Sequence, residues 1–302
     1  MLYDIIIIGG GPAGLTAAVY ARRAGKTVLI LEKNTFGGQI TWSPRVENFP
    51  GFASVSGSEL GDLMTNQAMD QGAEVELEEV CAVENGDGCK VVRCVSGETY
   101  SARAVILATG AKPRLLGVAR EEELTGCGVN YCAVCDGAFF AGAPVAVVGG
   151  GNSALQDAML LSETCSKVYL IHRRDSFRGE QKLADALAQK ANVEFVLNAR
   201  IAELLGDEEL SGVIVEQDGE ARRLDVEGVF VAVGHQPDNE AFASLVALDP
   251  RGYADAAEDC VTATPGFFVA GDCRKKGVHQ LTTAVADGAT AALAAVSYID
   301  AM

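Results

Sequence analysis

Two apolar runs, each cut off by a cluster of glycines, dominate the pattern of the chain. The first is "YDIIIIGGGPAG", from Tyr3, and the second is "APVAVVGGGNSA", from Ala143. Neither run alternates with polar residues, which predicts strands covered on both faces, as in a parallel sheet. Each glycine cluster leads into a helical segment and then a second apolar strand, "TVLILE" ending at Glu32 and "VYLIH" ending at His172. The offsets agree: 32 − 9 = 23 from Gly9 to Glu32, and 172 − 149 = 23 from Gly149 to His172. One strand–turn–helix–strand plan is written twice.

Three later runs predict further buried strands: "RAVILATG" from Arg103, "GVFVAVG" from Gly228 and "GFFVAGD" from Gly266. Between Gly72 and Ala104 the pattern alternates and carries Gly-Asp turns, which predicts an antiparallel hairpin. If "GFFVAGD" returns to the first sheet, the chain leaves one domain, builds a second and comes back, with Asp272 at a strand end. The expected fold class is α/β, with two Rossmann-like dinucleotide-binding domains of the three-layer ββα type. The expected boundaries are 1–115 for the first part of one domain, 116–242 for an inserted second domain, and 243–302 for the rest of the first.

The glycines carry the first chemical signal. Gly9, Gly11 and Gly14 form G-x-G-x-x-G, and Gly149, Gly151 and Ala154 form G-x-G-x-x-A. Such turns let backbone approach a pyrophosphate at a helix N-terminus. The strand ends differ in sign. Glu32 can accept from a ribose 2′-hydroxyl, which suits FAD or NAD. The second strand ends in "HRRDSFR", with His172, Arg173, Arg174 and Arg178, which suits a 2′-phosphate and hence NADP. One tightly held flavin and one exchangeable NADPH is the natural division of labour.

Charge and composition narrow the partners. The 302 residues carry 24 basic and 41 acidic side chains, a net charge of −17, which argues against nucleic acid or an anionic membrane as main partner. No segment has the roughly 18 apolar residues of a membrane span, and the N-terminus does not read as a signal peptide. A cytoplasmic protein is expected. Of nine cysteines, seven (Cys81, Cys89, Cys94, Cys127, Cys165, Cys260 and Cys273) are scattered, and are read as small buried hydrophobes or spare thiols. The basic run Arg274, Lys275 and Lys276 reads as a solvated loop, with steering of an acidic partner as the alternative.

The remaining two stand in "YCAVCDG", where Cys132 and Cys135 are followed by Asp136. A C-x-x-C pair can be a redox disulfide, half a zinc site or two inert thiols. Zinc needs two further ligands. The chain has no second C-x-x-C and three histidines, His172, His235 and His279, so no metal is expected. The pair ends 14 residues before Gly149 (149 − 135), on the approach to the NADP-type turn, which favours redox chemistry.

A set of motifs then points to a family: "GGGPAG", "GGQI", "VENFPG", "ATGA", "CAVCDG", "GGGNSA", "HRRDSFR", "VGHQP", and "AGDC" with "HQLTTAVADG". Together they span nearly the whole chain and resemble the low-molecular-weight, bacterial-type thioredoxin reductases. The resemblance implies an FAD- and NADPH-dependent enzyme that reduces a thioredoxin disulfide and works as a homodimer. It implies that the domain with the disulfide rotates, so that flavin meets first nicotinamide and then partner. Cys135 resembles the cysteine that receives electrons from the flavin, Cys132 the one that attacks thioredoxin, and Asp136 the acid/base beside them. Gly9, Gly11, Pro12, Ala13, Gly14, Glu32, Gly38, Gln39, Asn48, Thr109, Gly110, Gly271, Asp272, His279, Gln280 and Leu281 match positions that hold FAD. Gly149, Gly151, Asn152, Ser153, His172, Arg173, Arg174 and Arg178 match the NADPH site.

Departures from the family bear on detail. Gln156 and Asp157 stand where two acids are frequent, and His279 where arginine is usual. Trp42 follows "GGQIT", where small polar residues are common, and is expected to pack rather than to cover the flavin. Other readings keep the chemistry and change the partner: a glutaredoxin-like or other redoxin acceptor, a ferredoxin donor, or a small-molecule dithiol oxidase. A ferredoxin–NADP reductase of this fold would lack the cysteine pair, and a flavin sensor would not be bleached by NADPH.

Overall fold

The computed structural model describes all 302 residues. Contacts divide the chain into two units, Met1–Lys112 with Gln236–Met302, and Pro113–His235. The expected 115/116 and 242/243 divisions differ from these by a few residues. The segment 236–242 goes with the first unit because Asn239 is fully buried there and Phe242 joins its core.

In chain order the first unit opens with β1 (Leu2–Ile8), α1 (Pro12–Arg23), β2 (Val28–Glu32), α2 (Gly57–Asp70) and β3 (Glu74–Leu77). β4 (Val80–Asn85), β5 (Lys90–Cys94), β6 (Thr99–Leu107) and the short β7 (Ala111–Pro113) follow. The second unit contains β8 (Val129–Asn130), α3 (Ala133–Asp136), β9 (Pro144–Val148), α4 (Asn152–Leu161), β10 (Lys167–Ile171), α5 (Gln181–Ala188) and β11 (Val193–Val196). Next come β12 (Ala199–Leu205), β13 (Gly212–Gln217), β14 (Glu220–Leu224) and β15 (Gly228–Val231). After β16 (His235–Pro237), the chain adds β17 (Phe267–Val269) and α6 (Leu281–Asp300) to the first unit.

The first unit is three layers deep. β3, β2, β1 and β6 are parallel neighbours in that order. The nine residues of β6 serve two partners on the other edge. Its end, Val105–Leu107, pairs with β17 in parallel, while its start pairs with the antiparallel β5, and β5 with β4. The apolar run of β1 is unbroken because both faces are covered. Ile5 and Ile7 join the core under α1 and α6, and Ile6 and Ile8 join the core on the β4–β5 side. The hairpin expected between Gly72 and Ala104 forms only from Val80 onward. β3 instead pairs in parallel with β2, Leu29 opposite Glu74, as an edge strand.

The second unit repeats the plan. Its parallel sheet runs β11–β10–β9–β15–β8. α4 and α5 cover one face through Leu155, Ala158, Leu161 and Leu187. The antiparallel β12–β13–β14 sheet covers the other through Ile201, Val213, Val215 and Leu224. No helix in either unit is long and apolar enough to cross a membrane.

Candidate active site

The first glycine turn is shaped by close backbone approach. Gly9 has φ +110°, and a Cβ there would stand 2.3 Å from the carbonyl oxygen of Ala108, at the end of β6. Only glycine meets both demands. The turn delivers the chain into α1, with Gly11 as the residue before the helix and Pro12 in its first turn. Pro12 suits that position because its missing N–H would have no helical partner. Two other segments converge on this end of α1. A Cβ on Gly38 would lie 3.0 Å from Gly11 Cα, and one on Gly271 would lie 2.8 Å from Ala13 Cβ.

Glu32 is buried at the end of β2. It accepts the Gly10 N–H at 2.7 Å and the Asn34 N–H at 2.8 Å. Gln39, in the 3-10 turn Gly38–Trp42, donates to the Ala111 carbonyl at 3.0 Å and so lies beside Gly110. Thr109 donates to Asn239 Oδ1 at 3.1 Å. Asn239 in turn donates to the carbonyls of Gly252 and Cys273, at 3.0 and 2.9 Å. It ties the "ATG" turn to the "GDC" turn, a role that sequence reasoning missed. The one available hint was an amide following "VGHQPD" at the closing strand.

Asp272 follows β17, as expected. Its Oδ1 is buried with no hydrogen bond, although Lys276 Nζ lies 3.1 Å away; the two are paired by charge without hydrogen-bond alignment. That open, buried acceptor fits a polyol hydroxyl. Gln280 caps α6 in a reciprocal box with Thr283, and Leu281 begins the helix. His279 packs its ring 5.5 Å from that of Tyr253. Asn48 is exposed on the loop before α2. Trp42 is 56% exposed, so it does not pack as expected. The donor set of this unit, a glycine turn, a buried carboxylate at β2 and an unfilled Asp272 oxygen, fits the FAD expected from the sequence.

The second turn repeats these contacts. A Cβ on Gly149 would stand 2.5 Å from the carbonyl oxygen of Ala232, which follows β15 as Ala108 follows β6. The loop after β10 folds back onto the turn: Arg178 N–H donates to the Gly150 carbonyl at 2.7 Å, and Glu180 N–H to Asn152 Oδ1 at 2.7 Å. Ser153 and Asn152 are exposed in the first turn of α4. Arg173, Arg174 and Arg178 are all exposed beside it, a set that fits a phosphate.

His172 does not stand with the arginines. It is 6% exposed and lies under Gly150, where a Cβ would meet its ring at 2.2 Å. Its other neighbour is Phe177, with ring centroids 5.5 Å apart. Burial, with the charges of Arg178, Arg174 and Arg173, lowers its pKa below the usual histidine value. His172, expected among the residues of the NADPH site, lies buried beneath the turn, because its strand-end side chain points into the core.

Cys132 and Cys135 are joined in a disulfide. Cys132 caps the short helix α3, and its Sγ accepts the Cys135 N–H at 3.1 Å. Such an N–H favours a thiolate at Cys132 once the bond is opened. Val134, between the two, is 59% exposed, so solvent reaches this turn. Asp136 Oδ1 is buried with no hydrogen-bond partner, and burial pushes the Asp136 pKa up to about 6. Asp157, on α4, is also pushed up to about 6 by burial.

Of the other seven cysteines, Cys94, Cys165, Cys260 and Cys273 are buried, Cys89 is partly so, and Cys81 and Cys127 are exposed. The basic run from Arg274 is not a solvated loop. Arg274 is 2% exposed and the Lys276 side chain 4%, both held by carboxylates; only Lys275 faces solvent.

Comparison with known proteins agrees with this arrangement. The chain is 43% identical over 302 residues to a thioredoxin reductase of Listeria monocytogenes, covering 99% of this chain and 94% of that one. A thioredoxin reductase of Bacillus subtilis is 40% identical, with 99% and 95% covered. The crystal structure of thioredoxin reductase from Streptococcus pyogenes superposes with a TM-score of 0.95 at 38% identity, covering 100% of this chain and 99% of the other. The family model for pyridine nucleotide-disulphide oxidoreductases matches residues 3–288. With two glycine turns in repeated sheets and a disulfide between Cys132 and Cys135, the chain belongs to the pyridine nucleotide-disulphide oxidoreductase family.

Proposed function

We propose that this protein is an NADPH-dependent flavoprotein that reduces the disulfide of thioredoxin. FAD is held by the unit Met1–Lys112 with Gln236–Met302, and NADPH by Pro113–His235. The observation that carries the reading is the Cys132–Cys135 disulfide, capped by its own short helix and followed by a buried carboxylic acid, in the unit with the arginine-flanked turn. The relatives named above, thioredoxin reductases alike over nearly the full chain, support thioredoxin as acceptor.

FAD, when bound, relays the electron pair of NADPH to the protein disulfide. The chain's own residues do the rest. Glu32 and Asp272 offer acceptors to the hydroxyls of the flavin nucleotide, and the Gly9–Gly14 turn brings backbone N–H groups to its pyrophosphate. Arg173, Arg174 and Arg178 take the 2′-phosphate of NADPH. Once the pair is reduced, the Cys132 thiolate attacks one sulfur of the thioredoxin disulfide and displaces the other as thiolate. Cys135 then attacks Cys132 Sγ, which releases the second thioredoxin thiol and restores the Cys132–Cys135 bond. Asp136 can take up and return the proton that this exchange moves, since burial raises its pKa to about 6.

The same reading takes the protein as a cytoplasmic homodimer. A hollow of about 280 Å³, lined by Leu15, Phe49, Leu60 and Met64 of the first unit and bordered by the exposed Tyr20 and Leu63, supports a covered apolar face.

Anaerobic titration of the purified holoprotein with NADPH, followed by the host's thioredoxin, tests the activity. Bleaching of the flavin and thioredoxin-dependent NADPH oxidation are expected. Bleaching without transfer to thioredoxin would remove the proposed acceptor, and a protein without flavin would remove the reading.

A further inference from the structure

Asp287, on the second turn of α6, collects donors from one short stretch of chain. It accepts the Gly271 N–H at 3.1 Å, Arg274 Nε and Nη2 at 3.3 and 3.1 Å, and Lys276 Nζ at 3.2 Å. Its side chain is 8% exposed, that of Arg274 2% and that of Lys276 4%. Arg274 also reaches Glu258 at 3.2 Å and the carbonyls of Ala256 and Ala257 at 3.3 and 3.1 Å. Lys276 has two further contacts: its Nζ donates to Thr283 Oγ1 at 3.4 Å and is 3.1 Å from Asp272 Oδ1, across one turn of chain.

A buried lysine and a buried arginine meet three carboxylates, Asp272, Asp287 and the exposed Glu258. The geometry is more specific than charge pairing requires. Asp287 grips the "GDC" turn at its start, through Gly271, and at its far side, through Lys276. Lys276 reaches back from that grip to the one carboxylate of the turn whose buried oxygen has no hydrogen bond. An Asp272 held by charge, with its hydrogen-bonding capacity unfilled, is prepared to receive hydroxyl donors.

We infer that Lys276, anchored by Asp287, is a positioning residue that aims the Asp272 carboxylate at the hydroxyls of the bound FAD. The inference rests on the reading that this unit binds FAD. It concerns the orientation of one acceptor, whereas the fold of the unit rests on its two apolar cores. Loss of the lysine therefore acts on cofactor affinity beyond any loss of stability, and acts through Asp272.

The test is a double-substitution cycle on the full chain, stripped of flavin and titrated with FAD. Flavin fluorescence gives the Kd, and thermal melting of the flavin-free protein gives the stability of each variant. Lys276→Met is expected to weaken FAD at least tenfold. Asp272→Asn should weaken it similarly, and the double variant no more than the stronger single. Lys276→Arg, which keeps the charge, should recover most of the affinity. If Lys276→Met does not fold, the cycle is run with the polar, uncharged Lys276→Gln and Asp272→Asn, and the same absence of additivity is expected. Unchanged FAD affinity in the lysine variant, or losses that simply add, overturns the inference. Failure of the unaltered protein to bind FAD would instead remove the cofactor assignment beneath it.

Discussion

The Gly10 N–H donates to Glu32 Oε2 at 2.7 Å, inside the turn where β1 gives way to α1. The strand-end carboxylate is thereby fixed before any nucleotide arrives. Removing it has two consequences. Glu32→Ala leaves a buried N–H without its acceptor, which costs about 1–3 kcal/mol, and it deletes the acceptor offered to the ribose. Flavin content of the purified variant should fall sharply, and the melting temperature of its flavin-free form should fall by several degrees. Full flavin occupancy in Glu32→Ala would contradict the assignment of this turn to FAD.

The arginines after β10 lead to a discrimination experiment. Arg173 and Arg178 are exposed and carry no core contacts, so Arg173→Ala with Arg178→Ala should leave stability near that of the unaltered protein. A charged hydrogen bond is worth about 1.5–3 kcal/mol. The KM for NADPH should therefore rise roughly tenfold or more per arginine, with little change for NADH. His172→Ala should behave differently. It opens a void under Gly150 and lowers the melting temperature, with similar effects on both nucleotides. Equal losses for NADPH and NADH in the arginine variant would contradict the phosphate assignment.

How far the site was legible depended on how local its physics is. The two glycine turns, Glu32 and the arginines lie within short stretches whose period and residue type dictate geometry, so they were readable in sequence. The burial of His172 was not readable, because the repeat predicts where a strand ends, and the direction of a side chain there depends on what fills the space below Gly150. The Arg274–Lys276 run was misread for a related reason. A basic run is normally solvated, and its burial depends on Asp287 and Glu258, which are distant in sequence. Asn239 was missed because its partners, Thr109, Gly252 and Cys273, come from three separate segments. The β3 edge strand was taken into a hairpin because its alternation fits either pairing, and β2 claimed it first.

Asn239 carries a stability prediction of its own. It is fully buried and has both halves of its amide in use. Asn239→Ala leaves the Thr109 hydroxyl and the carbonyls of Gly252 and Cys273 to find other partners. Only the bond to the Cys273 carbonyl is fully buried, the other two being part-buried; at about 1–3 kcal/mol for a buried group left unpaired, a loss of at least about 1–3 kcal/mol is expected. Asn239→Asp should be worse, because it turns a second acceptor toward two carbonyls. Urea titration of the flavin-free protein measures both. An aspartate variant as stable as the native chain would show that the amide is not oriented as described.

Asp136 has a pH signature whose sign can be worked out. Its ordinary pKa is 3.8, and burial raises it to about 6 in the folded chain. Between those values the folded protein binds more protons at this site than the unfolded chain. Stability therefore falls as pH rises from about 4 to about 6 and is level above that. The rise from 3.8 to about 6, at about 1.4 kcal/mol per tenfold change in proton affinity, sets an upper bound of about 3 kcal/mol, reduced in practice by partial solvent access. Asp136→Asn replaces the acid by a neutral isostere, so it should raise the melting temperature at pH 7.5 and leave it unchanged at pH 4. Asp157, raised to the same range, keeps part of the pH slope in that variant. Thioredoxin reduction should drop in the asparagine variant at every pH, because the amide cannot exchange a proton with Cys132 or Cys135. A stabilisation of equal size at pH 4 and pH 7.5 would show that the effect is packing, and that burial does not raise the Asp136 pKa.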